Sequence, residues 1–367
     1  MTLKSIKNKV LIIINLFIVF AIFFSELGSI LSPVSLLIPI YFILCLPILL
    51  LLNFFFILYW VFLRKWYFLI SLIAILLSFK TIMTIFPIHF ETPNNKISKN
   101  SLVIVSYNTN GNSNVQKHLL NKPNGVIQYL LTENPDIICI QEYFVRNDKD
   151  HLTQTDINNL FKKYPYKYIK FDFEHFEAIT GLATFSKYPI INNKRIKYES
   201  VFNASIYSDI VVNKDTVRVF NNHLESNRFT GNDLQLSQQL KYNLNENNLI
   251  KTTESFSQKL NIAYPVRAKQ ADKIYELIKS TPYKIIVCGD FNDVPQSYTY
   301  TKIKSNLKDA FVEKGTGYGW TFNHSIWKLR IDYILYDDNF EVQNYQIGTN
   351  NSSDHYPIKC VLKFKHP

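Results

Sequence analysis

The chain has 367 residues, 47% of them hydrophobic, and a formal net charge of +11 at pH 7. The Leu-, Ile- and Phe-rich segment 1–90 argues against a wholly soluble protein, and four scattered cysteines offer neither a disulfide framework nor a zinc site. The basic excess is spread through a Lys- and Asn-rich background, so it marks no concentrated nucleic-acid stripe.

Three apolar runs open the chain. From Val10 to Phe24 only Asn15 and Ala21 interrupt large apolar residues, and the run extends to Leu31. The second, Val34 to Leu63, carries no charge, and the third, Trp66 to Phe86, carries only Lys80. A helical span needs roughly 20 apolar residues. A secretory signal has one short apolar region and a cleavage site, which does not account for three runs. Residues 1–90 are therefore expected to form a membrane anchor of about three transmembrane helices, over about 10–31, 34–63 and 66–87. Lys4, Lys7 and Lys9 precede the first run, and Arg64 and Lys65 separate the second from the third. Positive segments stay on the cytoplasmic side. Three spans then place everything after Pro87 on the outer, extracytoplasmic side of an inner membrane, and a different span count inverts that placement.

A polar linker over 91–100 leads into a catalytic domain over 101–367. Strand-like runs bounded by turn residues recur there, among them Leu102–Tyr107, Asp136–Gln141, Val217–Asn221, Lys284–Cys288, Ile331–Tyr336 and Tyr356–Phe364. Helical periodicity is clearest over Val266–Lys279. Many strands with few helices suggest two packed sheets covered by helices. Residues 225–265 are polar and rich in Asn, Gln and Lys. They read as a solvated insertion with its own small apolar stripe, the alternative being a lid or membrane-facing element.

Five motifs place a polar residue at the end of an apolar strand, where a rigid scaffold holds it at the rim of a sheet. They are VIVSYNTNG with Asn108, IICIQEYF with Glu142, VRVFNNHLES with His223, IIVCGDFND with Asp290 and Asn292, and IDYILY with SDHYPI, carrying Asp332, Asp354 and His355. Glu142 and Asn108 with an Asp offer all-oxygen ligation, which suits Mg²⁺ or Mn²⁺. Asp290 and Asn292, two apart in an extended segment, would face one side, one activating a water and the other donating to a phosphoryl group. His223 and His355 suit contact with phosphate or a leaving oxygen, and Asp332 behind His355 would fix its tautomer.

Together and in this order, SYNTNG, IQE, GLATFSKYPI, NHLES, GDFND, RIDYILY and SDHYPI resemble the endonuclease/exonuclease/phosphatase superfamily over residues 101–365. The resemblance implies a four-layer αββα sandwich of the DNase I-like type and hydrolysis of phosphoric esters. It implies Asn108, Glu142 and Asp354 at the metal, with Glu142 the main ligand. Asp290 would activate the water, Asn292 stabilise the transition state, His223 assist the leaving group, and His355 with Asp332 bind the scissile phosphate. GLATFSKYPI is expected to be structural, and Arg267 to be a helix-surface residue paired with an acid. The expected partners are a phosphate-ester substrate and the bilayer, with no protein partner. A lipid-linked or membrane-adjacent substrate is set against extracytoplasmic DNA or RNA, and against an inactive binding module.

Overall fold

The computed structural model describes residues 3–365 apart from 91–97, 99, 112–115, 176–177, 199, 201–202, 243–244 and 324–327. Most of the expected linker over 91–100 thus lies outside the described residues. The apolar N-terminal part forms α1 (Leu3–Gly28), α2 (Pro39–Phe62), α3 (Phe68–Leu77) and α4 (Phe79–Ile85). Within α1 and α2, Ile6–Gly28 and Pro39–Phe62 are long and apolar enough to cross a membrane. The third expected span is not one straight helix: α3 and α4 meet at Ser78 with a bend of 62°. These helices expose apolar side chains such as Phe17, Ile13 and Phe62. They bury polar ones. Asn15 Nδ2 donates to Ser71 Oγ at 2.7 Å, Trp60 Nε1 donates to Asn15 Oδ1 at 3.0 Å, and Asn53 Nδ2 donates to the Ser71 carbonyl at 3.0 Å. The helices thus turn polar groups inward and apolar ones outward, and by length and composition two of them, or three with the bent pair counted as one, could cross a membrane.

The remainder folds as two six-stranded sheets. One has the order β13-β14-β1-β2-β4-β3, with β1 (Ser101–Asn108), β2 (Ile137–Arg146), β3 (Tyr166–His175), β4 (Ala178–Ser186), β13 (Phe340–Ile347) and β14 (Ile358–Phe364). The other runs β5-β6-β7-β8-β12-β9, with β5 (Ile190–Ile196), β6 (Ala204–Val212), β7 (Asp215–His223), β8 (Lys284–Asp290), β9 (Lys308–Asp309) and β12 (Asp332–Tyr336). Each sheet centres on a parallel pair, β1 with β2 and β7 with β8, and its other pairings are antiparallel. A small hairpin of β10 (Phe322–Asn323) and β11 (Lys328–Leu329) lies outside both sheets.

Period-2 alternation sorts the side chains into layers. Leu102, Ile104, Ile137, Cys139, Val217, Val219, Ile286, Cys288, Ile334 and Tyr336 fill the space between the sheets. The opposite faces of β1 and β2 pack on α5 (Gly125–Glu133) and α6 (Gln154–Leu160). Those of β7, β8 and β12 pack on α8 (Glu246–Ser280) and α9 (Tyr298–Lys304). The result is the expected four-layer αββα sandwich. GLATFSKYPI contributes β4, with Leu182, Ala183 and Phe185 buried.

The 225–265 segment is not a detached solvated excursion. It holds α7 (Gly231–Tyr242) and the first half of α8, which continues through Pro265 to Ser280. Phe229, Leu260 and Tyr264 pack against Leu37, Ile40 and Tyr41 at the start of α2, and Tyr41 Oη bonds Asn261 Oδ1 at 2.7 Å. Packing on both sides of Pro265, against α2 before it and the sandwich after it, offsets the roughly 3 kcal/mol that an interior proline costs a helix. The apolar helices also touch the sandwich at Gln296, Gly317 and Arg330. Gln296 Nε2 donates to the Ile43 carbonyl at 3.0 Å, Gly317 N to the Pro87 carbonyl at 2.9 Å, and an Arg330 amino group to the Thr84 carbonyl at 2.8 Å. Pro47 has no N–H, so Gln296 supplies the donor that the Ile43 carbonyl lacks within α2.

Candidate active site

Along each central strand the inward-facing row ends in a functional residue. In β1 the row is Leu102, Ile104, Ser106, Asn108; in β7 it is Val217, Val219, Asn221, His223; in β8 it is Ile286, Cys288, Asp290. Just inside the mouth, Gln141 Nε2 donates to Asn221 Oδ1 at 2.7 Å across the sheets, and Asn221 Nδ2 donates to the Ala183 carbonyl at 3.0 Å. This buried amide pair sets the gap on which the site is built. His223, Asp290 and Asp332 are cross-strand neighbours on β7, β8 and β12. Asn108 reaches Asp290 from the opposite sheet.

Asp290 is the hub. Its Oδ2 accepts from Asn108 Nδ2 at 2.9 Å and lies 3.8 Å from His223 Nε2 and 3.7 Å from His355 Nε2. Burial, helped by the charge of Asp332, lifts its carboxyl to about 6. His355 is the complementary case. Burial alone would discharge its ring, but the fields of Asp332 and Asp290 and a 2.8 Å bond from Nδ1 to Asp332 prevail and raise it to about 10. The ring is thus a cation at neutral pH, with Nε2 directed toward Asp290.

Glu142 arrives by a backbone irregularity. The β2–β4 register shifts between Ile140 and Tyr143, and Glu142 takes a left-handed φ of 52°. Gln141 therefore points between the sheets while Glu142 sits at the mouth, 3.2 Å from Asn108 Nδ2 and 3.7 Å from His223 Nε2. A non-glycine residue in this region stores strain of order 1–3 kcal/mol, which concentrates at functional sites. Asn292 is also left-handed, at 53°. It shares the side of Asp290 because the chain turns after β8, and not through an extended segment. Its N–H donates to Asp290 Oδ1 at 2.7 Å, and its amide donates to the Leu224 carbonyl at 2.9 Å and to Asp290 Oδ2 at 3.3 Å. In this geometry Asn292 secures Asp290.

The expected metal residues are placed unequally. Asn108 and Glu142 are in contact, but Asn108 turns its NH₂ toward Glu142 and Asp290 while its Oδ1 accepts from Asn110 N at 3.1 Å. Asp354 is half-buried, with Oδ1 3.3 Å from Ser353 Oγ, and its charge is felt at His355. Among the described residues, the His/Cys/Asp/Glu group able to hold a metal ion is instead Asp290, Asp332 and His355, whose ligand atoms lie within 4.8 Å of one another. Nδ1 of His355 is engaged by Asp332, which leaves Nε2 and the carboxylate oxygens of Asp290 and Asp332 as the atoms that could face an ion. Four carboxylates surround two imidazoles here, which leaves uncompensated negative charge. Glu142, with its side chain 37% exposed, is more accessible to solvent at the mouth than Asp290 or Asp332.

Arg267 is not at the helix surface. It is fully buried, 3.5 Å from the Asp293 carboxylate, and it donates to the carbonyls of Glu225 and Asn292 and to Asn227 Oδ1. It is paired with an acid, as expected, but it holds the loop after Asp290 from behind. The sequence reading missed Gln141, Asn221, Glu225, Asp293 and Gln296. Gln141 and Asn221 carried a signal, a polar residue at the end of an apolar run, whereas Glu225, Asp293 and Gln296 stand in polar turns that mark nothing by themselves.

The endonuclease/exonuclease/phosphatase family model matches residues 105–355, more than half of the chain and all eight site residues. The chain belongs to this family. It is therefore a hydrolase acting on phosphoric ester bonds, in a family that is metal-dependent in general. A second model, for a domain of unknown function, matches residues 8–85. No curated protein matches the chain. Among solved structures it is similar to an endonuclease/exonuclease/phosphatase from Beutenbergia cavernae, at 15% identity and a TM-score of 0.50, covering 72% of each chain. A Leptotrichia buccalis family protein matches at 17% identity and 0.49, covering 72% of this chain and 100% of that one. The human Nocturnin catalytic domain, solved with bound sulfate, matches at 18% and 0.48, covering 74% and 97%.

Proposed function

We infer that this family member is a membrane-anchored phosphoesterase that uses Mg²⁺, with Mn²⁺ as the alternative ion, and hydrolyses a phosphodiester, phosphomonoester or pyrophosphate in a lipid-linked or membrane-adjacent molecule. The observation that carries the reading is the convergence of Asn108, Glu142, His223, Asp290 and His355 at one mouth of the sandwich, beside loops that the apolar helices grip through Gln296, Gly317 and Arg330. Glu142, with Asn108 and Asp354 nearby, would hold the ion, which when bound neutralises charge on phosphoryl oxygens. Asp290, lifted toward neutrality, is suited to take a proton from the attacking water. Cationic His355, held by Asp332, would donate to a phosphoryl oxygen, and His223 would stand by the leaving group. Asn292 keeps Asp290 aimed.

The outward placement draws on charge. The ends of α2 and α4 that bond the sandwich through Ile43 and Thr84 carry Lys80 alone among basic residues, whereas Lys7, Lys9, Arg64 and Lys65 lie toward the opposite ends of the helices. The test uses the full chain in detergent micelles with Mg²⁺. Bis(p-nitrophenyl) phosphate, a long-chain phospholipid, plasmid DNA and RNA are offered in parallel to wild type and Asp290→Ala. Asp290-dependent hydrolysis of DNA or RNA alone would replace the lipid reading by a nuclease, and no turnover of any substrate would leave a binding module. An alkaline phosphatase fused after Pro367 should be active in cells; an inactive fusion overturns the outward placement.

A further inference from the structure

Beside His355 lies an open trough of about 680 Å³ lined by Phe86, Tyr318, Trp320, Ile347 and Tyr356 together with small and amide residues, with no charged side chain among the described residues of its lining. That volume is within the range of small-molecule sites, about 300–1,000 Å³. One end belongs to the membrane part. Phe86 is the residue after α4, and Tyr318 packs against the cluster of Ile18, Ile22, Leu46 and Ile85. The other end lies toward the catalytic group: Tyr356 in the lining is the residue after His355, and Phe322, outside the lining, sets its ring 5.0 Å from the His355 ring. The loop forming the floor runs through Gly317 and Gly319, both at positive φ, and a Cβ at Gly319 would come within 2.2 Å of the Phe311 ring. Glycine there lets the loop lie flat against α10 (Ala310–Lys314) and keeps the trough open.

We propose that this trough receives the hydrocarbon chain of an amphiphilic phosphate ester, so that the substrate is a lipid whose phosphate sits among Asn108, Asp290 and His355 while its tail runs back along Trp320 and Phe86 to the apolar helices. The inference rests on the phosphoesterase reading and adds the substrate class. Aromatic walls also stack nucleobases, but a nucleic-acid groove interleaves its aromatics with cations that follow the backbone. Among the described residues the lining itself carries no cation, and because Lys328 lies over the Trp320 ring at 4.9 Å the experiment includes an oligonucleotide.

The experiment compares bis(p-nitrophenyl) phosphate, phosphate esters bearing short and long alkyl chains, and a single-stranded oligonucleotide on the full chain in lipid nanodiscs. The variants are Trp320→Glu and Trp320→Phe. Trp320 is 39% exposed, so the fold tolerates either change, and thermal unfolding checks this. The expected result is a kcat/KM that rises at least about tenfold with chain length and falls about tenfold for the long-chain ester in Trp320→Glu, as a charge placed on an apolar wall should cause. Trp320→Phe retains it, and in Trp320→Glu the ratio of long-chain to short-chain kcat/KM falls about tenfold. No preference for long chains, equal loss on both ester classes, or an oligonucleotide preferred and dependent on Trp320 overturns the inference while the phosphoesterase reading stands. If bis(p-nitrophenyl) phosphate and every ester remain intact, the phosphoesterase reading fails and the inference falls with it.

Discussion

Replacing Arg267 by Met removes a buried cation that five different groups use. The guanidinium is donor to the carbonyls of Glu225 and Asn292 and to Asn227 Oδ1, lies 3.5 Å from Asp293 and covers the Tyr264 ring at 4.3 Å. Methionine fills much of the volume but leaves the Asp293 carboxylate buried without its counter-charge, and breaking one side of such a pair costs about 3–5 kcal/mol. At roughly 2–4 °C per kcal/mol for a domain above 150 residues, the unfolding midpoint should fall by about 10 °C. The pH dependence has a definite sign. Burial already holds Asp293 above the ordinary carboxylate range, against the opposing pull of Arg267. A group with a raised folded-state pKa binds its proton more readily when folded, so stability is lost as pH rises from the unfolded value through the folded one. Without Arg267 that window widens upward, and the deficit should be smaller near pH 5 than near pH 8. Arg267→Met/Asp293→Asn, with both charges gone, should recover most of the loss. Activity should fall about 100-fold in the single variant, because the Asn292 carbonyl is released and Asp290 loses its alignment. The assay is thermal unfolding of the full chain in detergent at both pH values, alongside turnover of bis(p-nitrophenyl) phosphate. A fall under about 3 °C, a deficit independent of pH, or no recovery in the double variant would refute the reasoning.

Three further outcomes are expected. The kcat/KM profile should rise as pH passes about 6, where Asp290 ionises, and fall as it passes about 10, where His355 loses its proton. Asp332→Asn, which removes the main charge that holds the ring cationic, should move the alkaline limb down by about one to two pH units, and an unmoved limb would exclude His355 as its source. Chelation by EDTA should abolish activity and added Mg²⁺ restore it, and Glu142→Gln should weaken Mg²⁺ or Mn²⁺ binding at least about tenfold in titration calorimetry; unchanged affinity would place the ion elsewhere. Gln296→Leu should cost about 1–3 kcal/mol by orphaning the Ile43 carbonyl. Pro47→Ala, by restoring the N–H missing from α2, should relieve that loss in the double variant, as read by thermal unfolding.

What the sequence by itself determined is local. Period-2 alternation within each strand set which residues face inward, so Asn108, His223 and Asp290 could be read as the last, and Asp332 as the first, inward position of an apolar strand. Hydropathy alone marked residues 1–90 as apolar helices. What lay beyond it depended on which groups meet across the fold. Arg267 looks like a helix-surface residue until Asp293 and the Asn292 carbonyl close over it, and α8 reads as beginning after Pro265 until α2 packs against its first half. The bend at Ser78, the left-handed turn that brings Glu142 to the mouth, and the Gln296 donor that completes the Ile43 carbonyl follow the same rule. A side chain's alternation is set by its neighbours along the chain. Its partner, protonation state and tolerated strain are set by groups tens to hundreds of residues away, and only the tertiary structure brings those within reach.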